Sequence, residues 1–144
     1  MYDDLTKKIL VVEDDVDFRN SLFGILGHEY TFVAASDGEE GMEKLLVHRP
    51  DLIILDLLLP KIDGFEFLKR VREYPDEGIK NTHVIVLSNL AGNEDFIKAQ
   101  NLKVDAYYVK AHADMAEVKA KIKDVLYQGG GGPREEVLDF RNMG

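Results

Sequence analysis

The chain has 144 residues, 45% of them hydrophobic, with no Cys, no Trp and 27 acidic against 18 basic side chains for a formal net charge of -9. That size suggests a single domain that buries roughly two thirds of its unfolded-chain surface, and its acidic balance argues against direct nucleic-acid or membrane-surface binding. The lack of Cys removes disulfides, thiolate zinc sites and cysteine nucleophiles together, and an acidic opening, Met1-Tyr2-Asp3-Asp4, with no apolar run long enough to span a bilayer leads us to expect a cytoplasmic protein.

In chain order, Ile9-Leu10-Val11-Val12 reads as a first strand, and Asp17 is placed to cap a helix in which Phe18, Leu22, Ile25 and Leu26 share a face and Gly27 suits the end. A second strand is expected over 30–34. Asp37 caps the next helix, with Met42, Leu45 and Leu46 on one side and Pro50 blocking continuation. Leu52-Ile53-Ile54-Leu55 is the third strand. A helix over 64–73 follows, with Phe65, Leu68 and Val71 inward, although Asp63-Gly64 also suits a simple turn. Val84-Ile85-Val86-Leu87 is the fourth strand, and a helix over 93–100 offers little that is apolar beyond Phe96 and Ile97. A fifth strand, 106–109, precedes a last helix over 114–127 with Met115, Val118, Ile122, Val125 and Leu126 at helical spacing. His28, His48, His83 and His112 share no ligand spacing and read as surface or loop residues.

Several of these strands are continuously apolar, as strands buried on both faces of a parallel sheet must be. Strand and helix alternating five times implies an α/β fold, a doubly wound parallel sheet with helices on both faces. The expected domain is 1–128. Residues 129–133, Gly129-Gly130-Gly131-Gly132-Pro133, read as a flexible linker, and 134–144 as a short tail, either disordered or an appended expression sequence, with a docking peptide as the other reading.

Sites in open α/β sheets form at the carboxyl ends of the strands. There the sequence places Glu13-Asp14-Asp15, Asp56, Ser88-Asn89 and Lys110. Carboxylates gathered a few Å apart repel unless a cation joins them, and an all-oxygen set without His or Cys favours Mg2+ or Mn2+. A carboxylate beside such a cation and a Lys is equipped to accept a phosphoryl group, with Lys110 and the Ser88 hydroxyl holding the remaining oxygens.

The runs Ile9 to Asp15, Asp56-Leu57-Leu58-Leu59-Pro60-Lys61-Ile62-Asp63-Gly64, Val86-Leu87-Ser88-Asn89 and Tyr107-Tyr108-Val109-Lys110 resemble, in order and position, the receiver domain of two-component response regulators, over about residues 7–127. The resemblance implies five strands in the flavodoxin-like order 2-1-3-4-5. It further implies that Asp56 is phosphorylated by a histidine kinase or phosphotransfer protein. Mg2+ would be held by Asp14, Asp56, Glu13 through water and the Leu58 backbone carbonyl. Lys110 would pair with Asp56 and then with the phosphoryl group, Ser88 would hydrogen-bond it, and Tyr107 would match the rotating switch aromatic. Asp15 would cap the first helix or support the loop. The protein would then be no enzyme beyond its own phosphoryl transfer and dephosphorylation, and would signal through a downstream protein. Two residues depart from the family pattern. Ala111 follows Lys110 where Pro with a cis bond is usual, and Asn89 follows Ser88 where a small residue is usual. A non-proline cis bond costs about 2.5–4 kcal/mol, which leaves the geometry of this loop open.

Two other chemistries fit the sequence less well. A haloacid-dehalogenase-type phosphohydrolase needs its nucleophilic Asp where Glu13 stands, and a flavin binder needs a phosphate cradle where Glu13-Asp14-Asp15 would repel phosphate.

Overall fold

In the computed structural model, which describes residues 6–128, five parallel strands form one sheet in the order β2-β1-β3-β4-β5. The strands are β1 (Lys8–Val12), β2 (Thr31–Ala35), β3 (Leu52–Leu55), β4 (His83–Ser88) and β5 (Ala106–Val109). The helices are α1 (Val16–Leu26), α2 (Gly38–His48), α3 (Gly64–Arg72), α4 (Glu77–Lys80), α5 (Asn93–Asn101) and α6 (Met115–Gln128). The doubly wound fold and its strand order match the expectation. The proposed linker and tail at 129–144 lie outside the described residues.

Continuous apolarity in the central strands has the expected cause, because alternate residues feed two separate cores. Leu10, Val12, Ile53, Leu55, Val84, Val86, Tyr107 and Val109 face one side, where Leu45, Phe67, Leu68, Ile79 and Phe96 of α2 to α5 cover them. Ile9, Val11, Leu52, Ile54, Ile85, Leu87 and Tyr108 face the other, against Leu22 and Leu26 of α1 and Val118, Ile122, Val125 and Leu126 of α6. Burying these side chains on both faces supplies the main drive to fold.

Several local expectations are corrected. The α1 cap is Asp15, whose carboxylate accepts from the Phe18 N–H at 3.0 Å, not Asp17, which lies inside the first turn. In α3 the buried aromatic is Phe67, and Phe65 is only half-buried with the Lys98 ammonium 4.1 Å from its ring centroid. Ile25 and Leu46, grouped with inward stripes, are exposed, and so is Ile97, which leaves Phe96 as the large apolar side chain that α5 buries. The single-turn α4, capped by Asp76, was not anticipated. His83 is not a loop residue: it opens β4, half-buried, with Nδ1 3.1 Å from the buried Asp105 carboxylate. Asp37 and Asp63 do cap α2 and α3, accepting from the N–H groups of Glu40 and Glu66. No helix among the described residues is long and apolar enough to cross a membrane.

Candidate functional site

Glu13, Asp56 and Lys110 are each the first residue past a strand, and a backbone bond to the neighbouring strand fixes each one there. Glu13 N–H donates to the Ala35 carbonyl at 2.9 Å, Asp56 N–H to Val12 at 3.0 Å and Lys110 N–H to Ser88 at 2.9 Å. The side chains therefore leave the carboxyl edge of the sheet from positions set by the ladder itself, and motifs distant in sequence converge.

Glu13, Asp14 and Asp56 each offer a carboxylate oxygen within 4.8 Å of the others. Glu13 and Asp56 are buried, at 3% and 5% exposure, whereas Asp14 is exposed. The Lys110 ammonium stands between the buried pair, 2.6 Å from Glu13 Oε1 and 3.1 Å from Asp56 Oδ2. The remaining oxygens also have donors: Glu13 Oε2 accepts from Asp15 N–H and Asp56 Oδ1 from Leu58 N–H, both at 3.0 Å. The half-buried Phe18 ring of α1 covers the same ammonium, with Nζ 4.3 Å from its centroid.

Burial pushes the Glu13 carboxyl above its ordinary value despite the opposing Lys110 hydrogen bond, and the Asp56 charge adds to the rise. For Lys110, burial disfavours the charge, but the hydrogen bonds and charges of Glu13 and Asp56 outweigh it and the ammonium is held above the ordinary Lys value. Three carboxylates facing one ammonium leave excess negative charge. The donor set is all oxygen, so a hard divalent cation fits it, with Glu13, Asp14 and Asp56 as the holding residues.

The loop after β3 is pinned from below. Gly64 N–H donates to the Leu57 carbonyl at 3.0 Å, and a Cβ at Gly64 would lie 2.8 Å from the Asp56 carbonyl oxygen, so a side chain there would push the site residue itself. Leu58 is exposed on this loop, and Leu90 is half-buried.

Ser88 and Tyr107 meet at one residue, Leu90, on its two successive peptide groups. The fully buried Ser88 hydroxyl oxygen accepts from Leu90 N–H at 3.3 Å, while the Tyr107 hydroxyl donates to the Leu90 carbonyl. The Tyr107 ring lies inside, edge-on to Phe96 with centroids 4.5 Å apart. Burial raises its hydroxyl pKa well above the ordinary value, with the Asp95 and Asp56 charges adding to the effect.

At the two departures from the motif pattern, no cis peptide bond occurs among the described residues, so Lys110-Ala111 is trans. The Asn89 side chain engages the other departure: its Oδ1 accepts from Ala111 N–H at 3.0 Å. This contact between the two departures was missed in the sequence, where only the presence of an N–H at Ala111 hinted at a need for an acceptor.

A family model described as "Response regulator receiver domain" matches residues 9–123. The response regulator ArlR of Staphylococcus aureus is 32% identical over 137 residues, which is 94% of this chain and 58% of that protein. The chain thus spans less than two thirds of the length of this curated relative. Among solved structures, a CheY-like response regulator receiver domain protein from Methanospirillum hungatei superposes with a TM-score of 0.76 at 26% identity, covering 91% of this chain and 98% of that one. The Mn2+-bound form of response regulator Rcp1 gives a TM-score of 0.69 at 28% identity, covering 83% and 91%.

Proposed function

Because the chain belongs to the response regulator receiver domain family, with the CheY-like, flavodoxin-type fold, we propose that it is switched by transient phosphorylation of Asp56 and signals through protein contacts. The observation that carries this reading is the pairing of a buried Asp56 with Lys110 inside a cluster of three carboxylates. Asp56 attacks the phosphorus of a phosphohistidine on a histidine kinase or phosphotransfer protein. An O–P bond forms as the P–N bond breaks, and the electron pair stays on the departing imidazole nitrogen.

Lys110 is within reach to pair with a phosphoryl oxygen in place of one carboxylate contact. The Ser88 hydroxyl lies on the same edge and, in turning to donate its proton to a phosphoryl oxygen, gives up the bond it accepts from Leu90 N–H. That turn frees the Leu90 N–H while Tyr107 still holds the Leu90 carbonyl, so the signal leaves through the loop from Asn89 to Gly92 and α5. A divalent cation, Mg2+ or Mn2+, held by Glu13, Asp14, Asp56 and the Leu58 carbonyl, would offset the negative charge of the transferring group. The Mn2+-bound Rcp1 structure supports a cation of this class. On this reading the protein is a cytoplasmic signalling module rather than an enzyme acting on other substrates, with a downstream protein target and no direct nucleic-acid contact.

The test is intact mass after incubation with Mg2+ and acetyl phosphate. One phosphoryl group gained by the parent and none by Asp56→Asn is the expected result. Equal labelling of both places the acceptor elsewhere.

A further inference from the structure

The β4–β5 ladder ends at the pair Ser88 and Val109, after which Lys110 N–H reaches back to the Ser88 carbonyl at 2.9 Å. Both chains then turn away from the sheet. One residue further on, the next rung is made by a side chain: Asn89 Oδ1 takes the Ala111 N–H at 3.0 Å. Because the partner is a donor, the carbonyl end of the Asn89 amide is the end committed to this contact. We propose that Asn89 is a positioning residue that extends the ladder by this rung and thereby holds the backbone of Lys110 in register with Ser88.

Three features support a positional role. Lys110 is flanked by the two bonds, its own N–H and that of Ala111, so its backbone is held on both sides against a single strand end. Its ammonium must sit between Glu13 Oε1 and Asp56 Oδ2, at 2.6 and 3.1 Å, and a side chain with four rotatable bonds holds such a point only if its root is fixed. Finally, Asn89 and Ala111 are both exposed, so the bond buries nothing and contributes little to the core. Its consequence is geometric: a misplacement of a charged group by an ångström costs rate steeply while leaving the fold in place.

This inference rests on the phosphoacceptor reading and deepens it. The experiment follows phosphoryl uptake from acetyl phosphate with Mg2+ by intact mass, at a series of donor concentrations, for the parent, Asn89→Ala, Asn89→Asp, Ala111→Pro and the pair Asn89→Ala with Ala111→Pro. Asn89→Ala is expected to lower the rate constant at saturating donor about three- to tenfold, with half-saturating Mg2+, read from the melting temperature, unchanged within about twofold. Asn89→Asp keeps the acceptor, so it restores the saturating rate while its added charge raises the donor concentration needed. Ala111→Pro removes the donor, and on that background Asn89→Ala has no further effect. Amide exchange at Ala111, slow in the parent, accelerates in Asn89→Ala. A parent that takes up phosphate with Asn89→Ala at the same saturating rate overturns the inference alone. So does an Asn89→Ala effect that persists undiminished beside Ala111→Pro, since Asn89 would then act on the phosphoryl group and not on the loop. A parent that takes up no phosphate overturns the phosphoacceptor reading and, with it, this inference.

Discussion

Acidic and basic side chains gather at both ends of the sheet, and the two gatherings are built differently. At the amino edge the buried Asp105 accepts from Val84 N–H at 3.0 Å and faces His83, while the Arg72 guanidinium donates to the carbonyls of Lys80, Thr82, Leu102 and Lys103. These charges tie loops to strand ends through bonds to backbone groups, which cannot leave. At the carboxyl edge Glu13 and Asp56 share one ammonium with the exposed Asp14 carboxylate beside them, and the excess charge has no ion-pair partner of its own among the described residues. A charge consumed by backbone is part of the scaffold, whereas carboxylates in excess of their counter-ions mark where a ligand enters.

The largest expected effect follows from that excess. Mg2+ should stabilise the folded state by mass action, by about 2.7 kcal/mol at a hundred times its dissociation constant, because only the folded chain gathers the three carboxylates. Asp14→Ala should remove most of the response in thermal melts. An unchanged melting temperature for the parent in saturating Mg2+ would erase the distinction between the two edges.

The converse change is Asp105→Ala. It leaves the Val84 N–H buried without its acceptor, which should lower the unfolding free energy by about 1–3 kcal/mol in urea titrations. The Mg2+ response and phosphoryl uptake of the remaining folded protein should be unaltered. A variant that folds as well as the parent but loses Mg2+ binding would mean that the amino edge is not purely structural.

A smaller effect should appear at alkaline pH. Burial raises the Tyr107 hydroxyl above its unfolded value of about 10 and the carboxylate pair raises Lys110 above about 10.4. In both cases the folded state keeps its proton longer than the unfolded one. The stability associated with each is therefore present below the unfolded value and lost as pH rises beyond it. Stability should fall above about pH 10. Tyr107→Phe should make that fall shallower and, through the lost bond to Leu90, cost about 1 kcal/mol at neutral pH. A parent whose stability stays level from about pH 9 to 11 would contradict the burial of this hydroxyl.

The site was legible in the sequence because a parallel sheet converts strand order into position. Glu13, Asp56, Ser88 and Lys110 each end or follow a short apolar run, and parallel strands put all such ends on one edge. The α1 cap was harder, since Asp15 and Asp17 both suit a cap and only the end of β1 decides which one reaches Phe18 N–H. In α3 spacing admits both Phe65 and Phe67, and the docking of the helix beside α2, where the Phe67 ring lies against Gly41, chooses. The single turn α4 is too short to show a period. The Asn89–Ala111 rung joins residues 22 apart on two loops, so it depends on strand pairing that no local pattern encodes.

The smallest effect expected concerns the ammonium that Glu13 and Asp56 share at the carboxyl edge. Lys110 is held by carboxylates on one side and by the Phe18 ring on another, with Nζ 4.3 Å from the ring centroid and the side chain 13% exposed. An ammonium this far desolvated gains more from an aromatic face than a surface Lys does, and about 1 kcal/mol is a reasonable size. Phe18→Leu keeps an apolar cover of similar reach but lacks the ring quadrupole, so the electrostatic part alone is lost. Packing changes confound the single variant, and a cycle with Lys110→Met separates them: the coupling between the two positions should be about 0.5–1 kcal/mol in urea unfolding. The same pairing tests whether the edges differ as described. If Phe18 shields the ammonium, then Phe18→Leu lets water and salt reach the Lys110 pair, and the variant should lose more stability than the parent between low and high salt. A coupling near zero, with the same salt dependence in both proteins, would reduce Phe18 to ordinary packing and leave the two carboxylates as the whole hold on Lys110.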